Sequence, residues 1–248
     1  MIDIYGDSFA DPNWDSEDSF VWHKRLGEVN NFAKSGVGPH YSFKELYKRY
    51  KNYTKDDHVI FIISDQGRIN FHVPDEYKNQ GIRPEDIFWD AGKARITQMP
   101  AKHCAAAIRT SEWYALYKSH MEYTCKTFKA EIDNMTAKCE SLLYMISRIQ
   151  QCKVTVFLFN TNASYMSDRL NDGLFYLHNY SLLSASNEEF INFKENRFPR
   201  RELRQNHFSK ENHDIMEEII QTRTFKPFKK NFVDPAPFEQ DEEIFIYE

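Results

Sequence analysis

No two of the four cysteines, Cys104, Cys125, Cys139 and Cys152, stand at the spacing of a CxxC pair or of a metal-ligand cluster. A zinc ribbon or a dithiol redox centre is therefore excluded, and the four read as structural thiols. No apolar run approaches the about 18 residues that a membrane span requires, so no membrane association is expected. No P-loop is present, no Gly-x-Gly-x-x-Gly follows a strand-like run, and no two histidines four residues apart flank a glutamate. Nucleotide, dinucleotide and zinc-protease chemistry fall with those absences, and neither a cofactor nor a metal is expected. Positive charge is not in excess: 32 Lys and Arg against 37 Asp and Glu give a formal net charge of −5, which argues against a nucleic-acid partner. Internal repeats and low-complexity segments are lacking as well.

What is present is material for a core. Hydrophobic residues make up 41% of the chain and aromatics 15%, with 20 Phe and 14 Tyr. At 248 residues that composition predicts one packed domain with insertions rather than two independent ones. Apolar runs at 2–5, 59–63 and 154–159, and a weaker one at 29–33, read as strands buried on both faces, the habit of parallel sheets. Between them, 17–26 reads as a helix capped by Asp15 or Ser16 and stopped at Gly27. Ser42-Phe43-Lys44-Glu45 reads as a capping box opening a helix with Phe43, Leu46, Tyr47 and Tyr50 on one face. Alternating strand and helix predict an α/β class with a mostly parallel sheet.

The stretch 70–100 carries Pro, Gly, Asp and Trp without period and reads as a long site-forming loop. From 111 to 151 the pattern turns helical. Met121, Cys125, Phe128, Ile132, Met135, Cys139, Leu142, Ile146 and Ile149 alternate four and three residues apart, a heptad seam. It predicts either a long helix packed on its own sheet or a coiled coil joining copies of the chain through 121–149. The expected organisation is a single domain over 1–225, elaborated at about 70–150, followed by a C-terminal arm or tail at 226–248.

Four segments carry side chains suited to chemistry. Gly6-Asp7-Ser8 directly follows the first strand, which sets Ser8 at the carboxyl edge where open α/β sheets bind their ligands. Asn31-Phe32-Ala33-Lys34-Ser35-Gly36 follows the second strand, with a glycine that lets backbone approach a bound oxyanion. Ser64-Asp65-Gln66-Gly67 follows the strongest strand and offers the Gln66 amide at the same edge. Asn206-His207-Phe208-Ser209 precedes a helix with Ile215, Ile219 and Ile220 on one face and Ser209 as its cap. There His207 is the candidate base, and His213 packs on Phe208 as a staple. The basic run Lys194, Arg197, Arg200, Arg201 and Arg204 lies just ahead of it.

That order of segments resembles the SGNH, or GDSL-like, hydrolases, and in style the members encoded by large bacteriophages. The resemblance covers 2–68 and 153–220. It implies a three-layer α/β/α fold with a flavodoxin-like sheet of about five strands and a serine esterase activity on a small acyl ester, such as an O-acetyl group on a glycan. It assigns Ser8 as nucleophile and one oxyanion donor, Gly36 and Gln66 as further donors, and His207 as general base. Two residues depart from the family. Gln66 stands where Asn is usual, and Arg204 stands where the family has the Asp that orients the base, a group whose loss costs a serine protease about 10⁴ in kcat. A Ser8–His207 dyad, with a backbone carbonyl or Glu202 as orienting acceptor, is the enzyme expectation. A catalytically impaired module of the same fold, serving as a binding or structural part of a phage particle, is the alternative. With Met1 leading straight into a strand and no leader-like segment, a cytoplasmic product is expected, virion-associated if phage-encoded.

Overall fold

The computed structural model describes residues 1–12, 21–34, 37–64, 68–70, 88–90, 95–97, 119, 123, 127, 130, 134–159, 171–182, 185, 208 and 210–228. Five strands form one parallel sheet: β1 (Ile2–Tyr5), β2 (Val29–Asn31), β3 (His58–Ile63), β7 (Lys153–Leu158) and β8 (Phe175–Ser181), in the order β2-β1-β3-β7-β8. The predicted α/β class is what the chain adopts. Strand β1 lies between β2 and β3, so the chain leaves it toward one side and later returns on the other. That reversal opens a crevice at the carboxyl ends of β1 and β3.

Both faces of the sheet are covered, which is why its central strands are apolar at nearly every position. Ile4, Ile60 and Ile62 point to the face closed by α1 (Trp22–Arg25) and α4 (Lys210–Thr222), through Trp22, Ile215, Met216 and Ile219. Tyr5, Val59, Phe61 and Ile63 point to the other face, closed by α2 (Pro39–Tyr47) and α3 (Met135–Gln150) through Leu46, Cys139 and Leu143. Each large apolar side chain so buried contributes about 1.5–3 kcal/mol.

A polar cluster stands inside this second face. The Asp3 carboxylate, 3% exposed, receives Asn30 Nδ2 at 2.8 Å and the Tyr53 hydroxyl at 2.7 Å, and the Tyr5 and Tyr53 hydroxyl oxygens lie 2.6 Å apart. Burial, foremost, pushes both phenols above their ordinary range, so both remain protonated donors. The Tyr5 hydroxyl also lies 3.2 Å from Asp3 Oδ2, so two phenolic protons serve three contacts, and the two shortest are satisfied when Tyr5 donates to Tyr53 and Tyr53 to Asp3.

Several expectations need correction. Helix α2 does not open at Ser42: it begins at Pro39 with Gly38 as N-cap, and Ser42 sits inside it with its hydroxyl 3.4 Å from the Gly6 carbonyl. Tyr47, expected on the buried face, is 72% exposed. The stretch 70–100 is not all loop, because β4 (Arg68–Asn70), β5 (Phe88–Asp90) and β6 (Arg95–Thr97) make a three-stranded antiparallel sheet. Of the heptad seam, 121, 125, 128 and 132 lie outside the described residues. In α3 the seam divides: Cys139 faces the core, while Leu142 and Ile149, with Met145, are about half or more exposed. The segment beyond 225 stays on the domain at least to Phe228, which is buried against Tyr180 and Phe208. Cys139 and Cys152 are free and buried, and burial raises both thiols, to about 12 and about 11. No described helix is long and apolar enough to cross a membrane.

Three histidines are held neutral by burial: His23, His58 and His178 each fall from 6.5 to about 4. His178 is wholly buried among Phe157, Tyr180, Phe225 and Phe228. The unfolded chain binds these protons near 6.5 and the fold only near 4, so the stability they contribute is complete above 6.5 and drains as pH falls through that window. Each costs about 1.4 kcal/mol per pH unit inside it. Urea denaturation followed against pH is expected to show this loss, with a shallower slope in His178→Leu. An unchanged slope in that variant refutes the assignment.

Candidate functional site

At the carboxyl end of β1 the chain must turn where there is no room for a side chain: a Cβ on Gly6 would lie 2.8 Å from Ile62 Cβ on β3. Glycine therefore sets how closely the Asp7-Ser8 turn descends onto its neighbour strand. Asp7 shapes the turn twice, its carbonyl accepting Ala10 N–H at 3.0 Å and its Oδ1 accepting Phe9 N–H at 3.3 Å. Ser8 follows in this turn and is 5% exposed.

The loop after β2 is tied beside it. Lys34 N–H donates to the Gly6 carbonyl at 3.1 Å, Asn31 Nδ2 donates to the Ala10 carbonyl at 2.7 Å, and Asn31 Oδ1 accepts Ala33 N–H at 3.0 Å. Asn31 thus works at both ends, on its own loop and on the loop of Ser8.

From the third segment, Ser64 lies at the end of β3. Its hydroxyl is buried without a hydrogen-bond partner. Arg68, four residues on and 8% exposed, gives Nη1 to Asp7 Oδ2 at 3.2 Å and lays its guanidinium 5.6 Å from the Phe159 ring centre at the end of β7. Its Nε is buried and unpartnered. The backbone of Arg68 also meets Gly38: a Cβ there would stand 1.8 Å from the Arg68 carbonyl oxygen. Glycine is required, and Pro39 after it supplies the φ that a first helical turn needs.

The fourth segment reaches this edge through Phe208, buried at the head of α4. Its ring centre is 5.0 Å from Phe9, and Phe9 is edge-on to Phe159 at 6.1 Å. His213 packs edge-on against Phe208 at 5.6 Å, the staple expected, and accepts Trp22 N–H at Nδ1, 3.5 Å away. Trp22 Nε1 in turn donates to the Phe9 carbonyl at 3.0 Å.

Ser8 is thus the one sequence-assigned site residue with a described environment. Gly36, Gln66 and His207 lie outside the described residues, as do Glu202, Arg204 and the rest of the basic run. Asp7, Arg68, Ser64 and Gly38 were not singled out in the sequence. The Gly38-Pro39 pair is a helix-start signal that reads directly; an arginine four residues past a buried strand is legible only once its carboxylate partner is known. No family model, no curated protein and no solved structure matches this chain.

A buried carboxylate stripped of its cation is costly, about 3–5 kcal/mol. Arg68→Ala is expected to lose that much in chemical denaturation, and Asp7→Asn combined with Arg68→Gln to lose clearly less, because no charge is then stranded. Additive losses in the double variant would show that the two do not act as a pair.

Proposed function

We propose that the chain is a serine esterase of the SGNH hydrolase type, with Ser8 as nucleophile and His207 as general base. The observation that carries this reading is the ring contact between Phe9 and Phe208, 5.0 Å between centres. These are the residues immediately after Ser8 and His207, and their contact draws two segments 199 residues apart to one sheet edge. The strand order β2-β1-β3-β7-β8, with the Gly6-Asp7-Ser8 turn at the reversal, supports the same reading, since open sheets hold their ligands there.

In this mechanism His207 takes the Ser8 proton as Oγ attacks an ester carbonyl. The Ser8 and Gly36 N–H groups and the Gln66 amide hold the oxyanion, and water then releases the acyl-enzyme. The substrate is a small acyl ester, O-acetyl groups of a glycan being the leading class. With Arg204 in the place of the usual Asp, the base is oriented by another acceptor, and a slower dyad is the expected form.

A second reading, a catalytically impaired assembly module, is favoured by the exposure of Leu142, Met145 and Ile149 at 49%, 53% and 66% on α3. Their three- and four-residue spacing is that of a seam between two copies of one helix.

Fluorophosphonate labelling with peptide mass spectrometry separates the two. Modification of Ser8 in the wild type, lost in His207→Ala, is expected of the esterase, with hydrolysis of acetyl esters falling about 10²–10⁴-fold in that variant. A folded protein that is not labelled at Ser8, and whose sedimentation shows association abolished by Leu142→Lys with Ile149→Lys, would instead establish the assembly module.

A further inference from the structure

The edge of the sheet opposite Ser8 holds a second concavity. Ile2, His58 and Lys153, at the starts of β1, β3 and β7, open onto a pocket of about 230 Å³ closed by Arg25, Leu26, Ile220, Gln221 and Arg223. Three of its polar side chains are cations, Arg25, Lys153 and Arg223, and none is acidic. Arg25 is balanced, by Asp214 at 2.5 Å and Glu217 at 3.0 Å. The other two cations are not. Arg223 spends its Nη groups on neutral carbonyls, those of Gly173 at 2.5 Å and Val154 at 3.2 Å, and its Nε is buried without a partner. Among the described residues neither Arg223 nor Lys153 has a carboxylate within ion-pair distance; Asp172, the acid that Arg223 feels, is paired to Arg148.

Two further observations point the same way. Arg223 adopts a left-handed φ of 54°, a conformation that is strained for a side-chain-bearing residue and that glycine ordinarily fills after a helix. Its side chain is what distinguishes it from the glycine expected there. The ring of His58, hydrogen-bonded to Thr155 Oγ1 at 2.8 Å, is held neutral by burial first and by Arg223 and Lys153 next, so the positive field reaches into the pocket wall.

We propose that this pocket is an anion site, taking a phosphate group held by Arg223 and Lys153 against the apolar floor of Ile2, Leu26 and Ile220. Lys153 meets phosphate as a point charge, and Arg223 through its fixed positive charge and the second hydrogen on each Nη, the first being given to Gly173 and Val154. The volume suits that size of ligand: drug-sized molecules need about 300–1,000 Å³, so the pocket admits free phosphate or the head of a small phosphomonoester rather than a nucleotide. The site stands apart from Ser8 and does not depend on the esterase reading.

The test is isothermal titration of the full chain with inorganic phosphate and, separately, glycerol phosphate, at constant ionic strength set with chloride. Saturable binding of one phosphate per chain is expected, weakened about tenfold or more, or about 1.4 kcal/mol, in Arg223→Gln and severalfold in Lys153→Gln. It should be unchanged in Lys48→Gln, whose lysine pairs with Glu45 elsewhere on the surface. Tighter binding of the ester than of the free ion assigns the site to a phosphomonoester, and the reverse to free phosphate. Because Arg223 also ties α4 to the sheet, the exposed Lys153 decides should Arg223→Gln fail to fold. No saturable binding, or binding indifferent to Lys153→Gln, overturns the proposal.

Discussion

The carboxyl edge of the sheet is organised around one buried ion pair, Asp7 with Arg68. Two charges withdrawn from water attract each other strongly but have lost their hydration, so such a pair contributes little net stability; what it fixes is position. Asp7 Oδ2 is met by Arg68 while Oδ1 accepts Phe9 N–H, and Arg68 brings with it the start of β4, the Phe159 ring and the Gly38 backbone. The Ser8 turn, the helix that follows the second loop, and the exit of β7 are therefore set relative to one another by a single guanidinium. An apolar pair of the same volume would hold the same mass of core without holding the loops to one geometry.

Much of this was legible from sequence where burial is uniform. Central parallel strands are shielded on both faces, and the stretches 59–63 and, broken only by Thr155, 154–158 advertise themselves as apolar runs. Edge strand β8 was missed because its sequence, FYLHNYS, is aromatic and polar. Phe175 and Leu177 serve one face, Tyr176 and Tyr180 the other, and His178 is buried as a neutral ring in an aromatic stack. Hydropathy counts that histidine as polar; desolvation in the fold makes it behave as an aromatic.

The remaining misreadings share a cause, that local signals yielded to contacts distant in sequence. Ser42 and Glu45 have the spacing of a capping box, yet α2 begins three residues earlier, because Gly38 alone fits against the Arg68 carbonyl and Pro39 is pre-set for the first turn. The antiparallel strands β4, β5 and β6 are three residues each, too short for a two-residue period to stand out. At the site, Ser8 was legible because it directly follows a strong strand. Arg68 was not, because its partner lies 61 residues away.

The parallel arrangement also gives the two edges different helix-dipole environments. Each crossover helix runs back against the strands, so helices begin at the carboxyl edge and end at the amino edge. The first carries the positive ends of the helix dipoles and the second the negative ends. Asp7 sits at the former, near the start of α2. Arg25, Lys153 and Arg223 gather at the latter, around the ends of α1, α3 and α4. A helix terminus carries only about half an elementary charge, and its influence falls off within the last turn. It offsets part of a cation beside it. With Arg25 already matched by Asp214 and Glu217, Arg223 and Lys153 are the cations of the pocket lining that no described carboxylate meets within ion-pair distance. In this chain the carboxyl edge thus holds a charge-paired, tightly tied turn, and the pocket at the amino edge holds two cations without a described carboxylate partner.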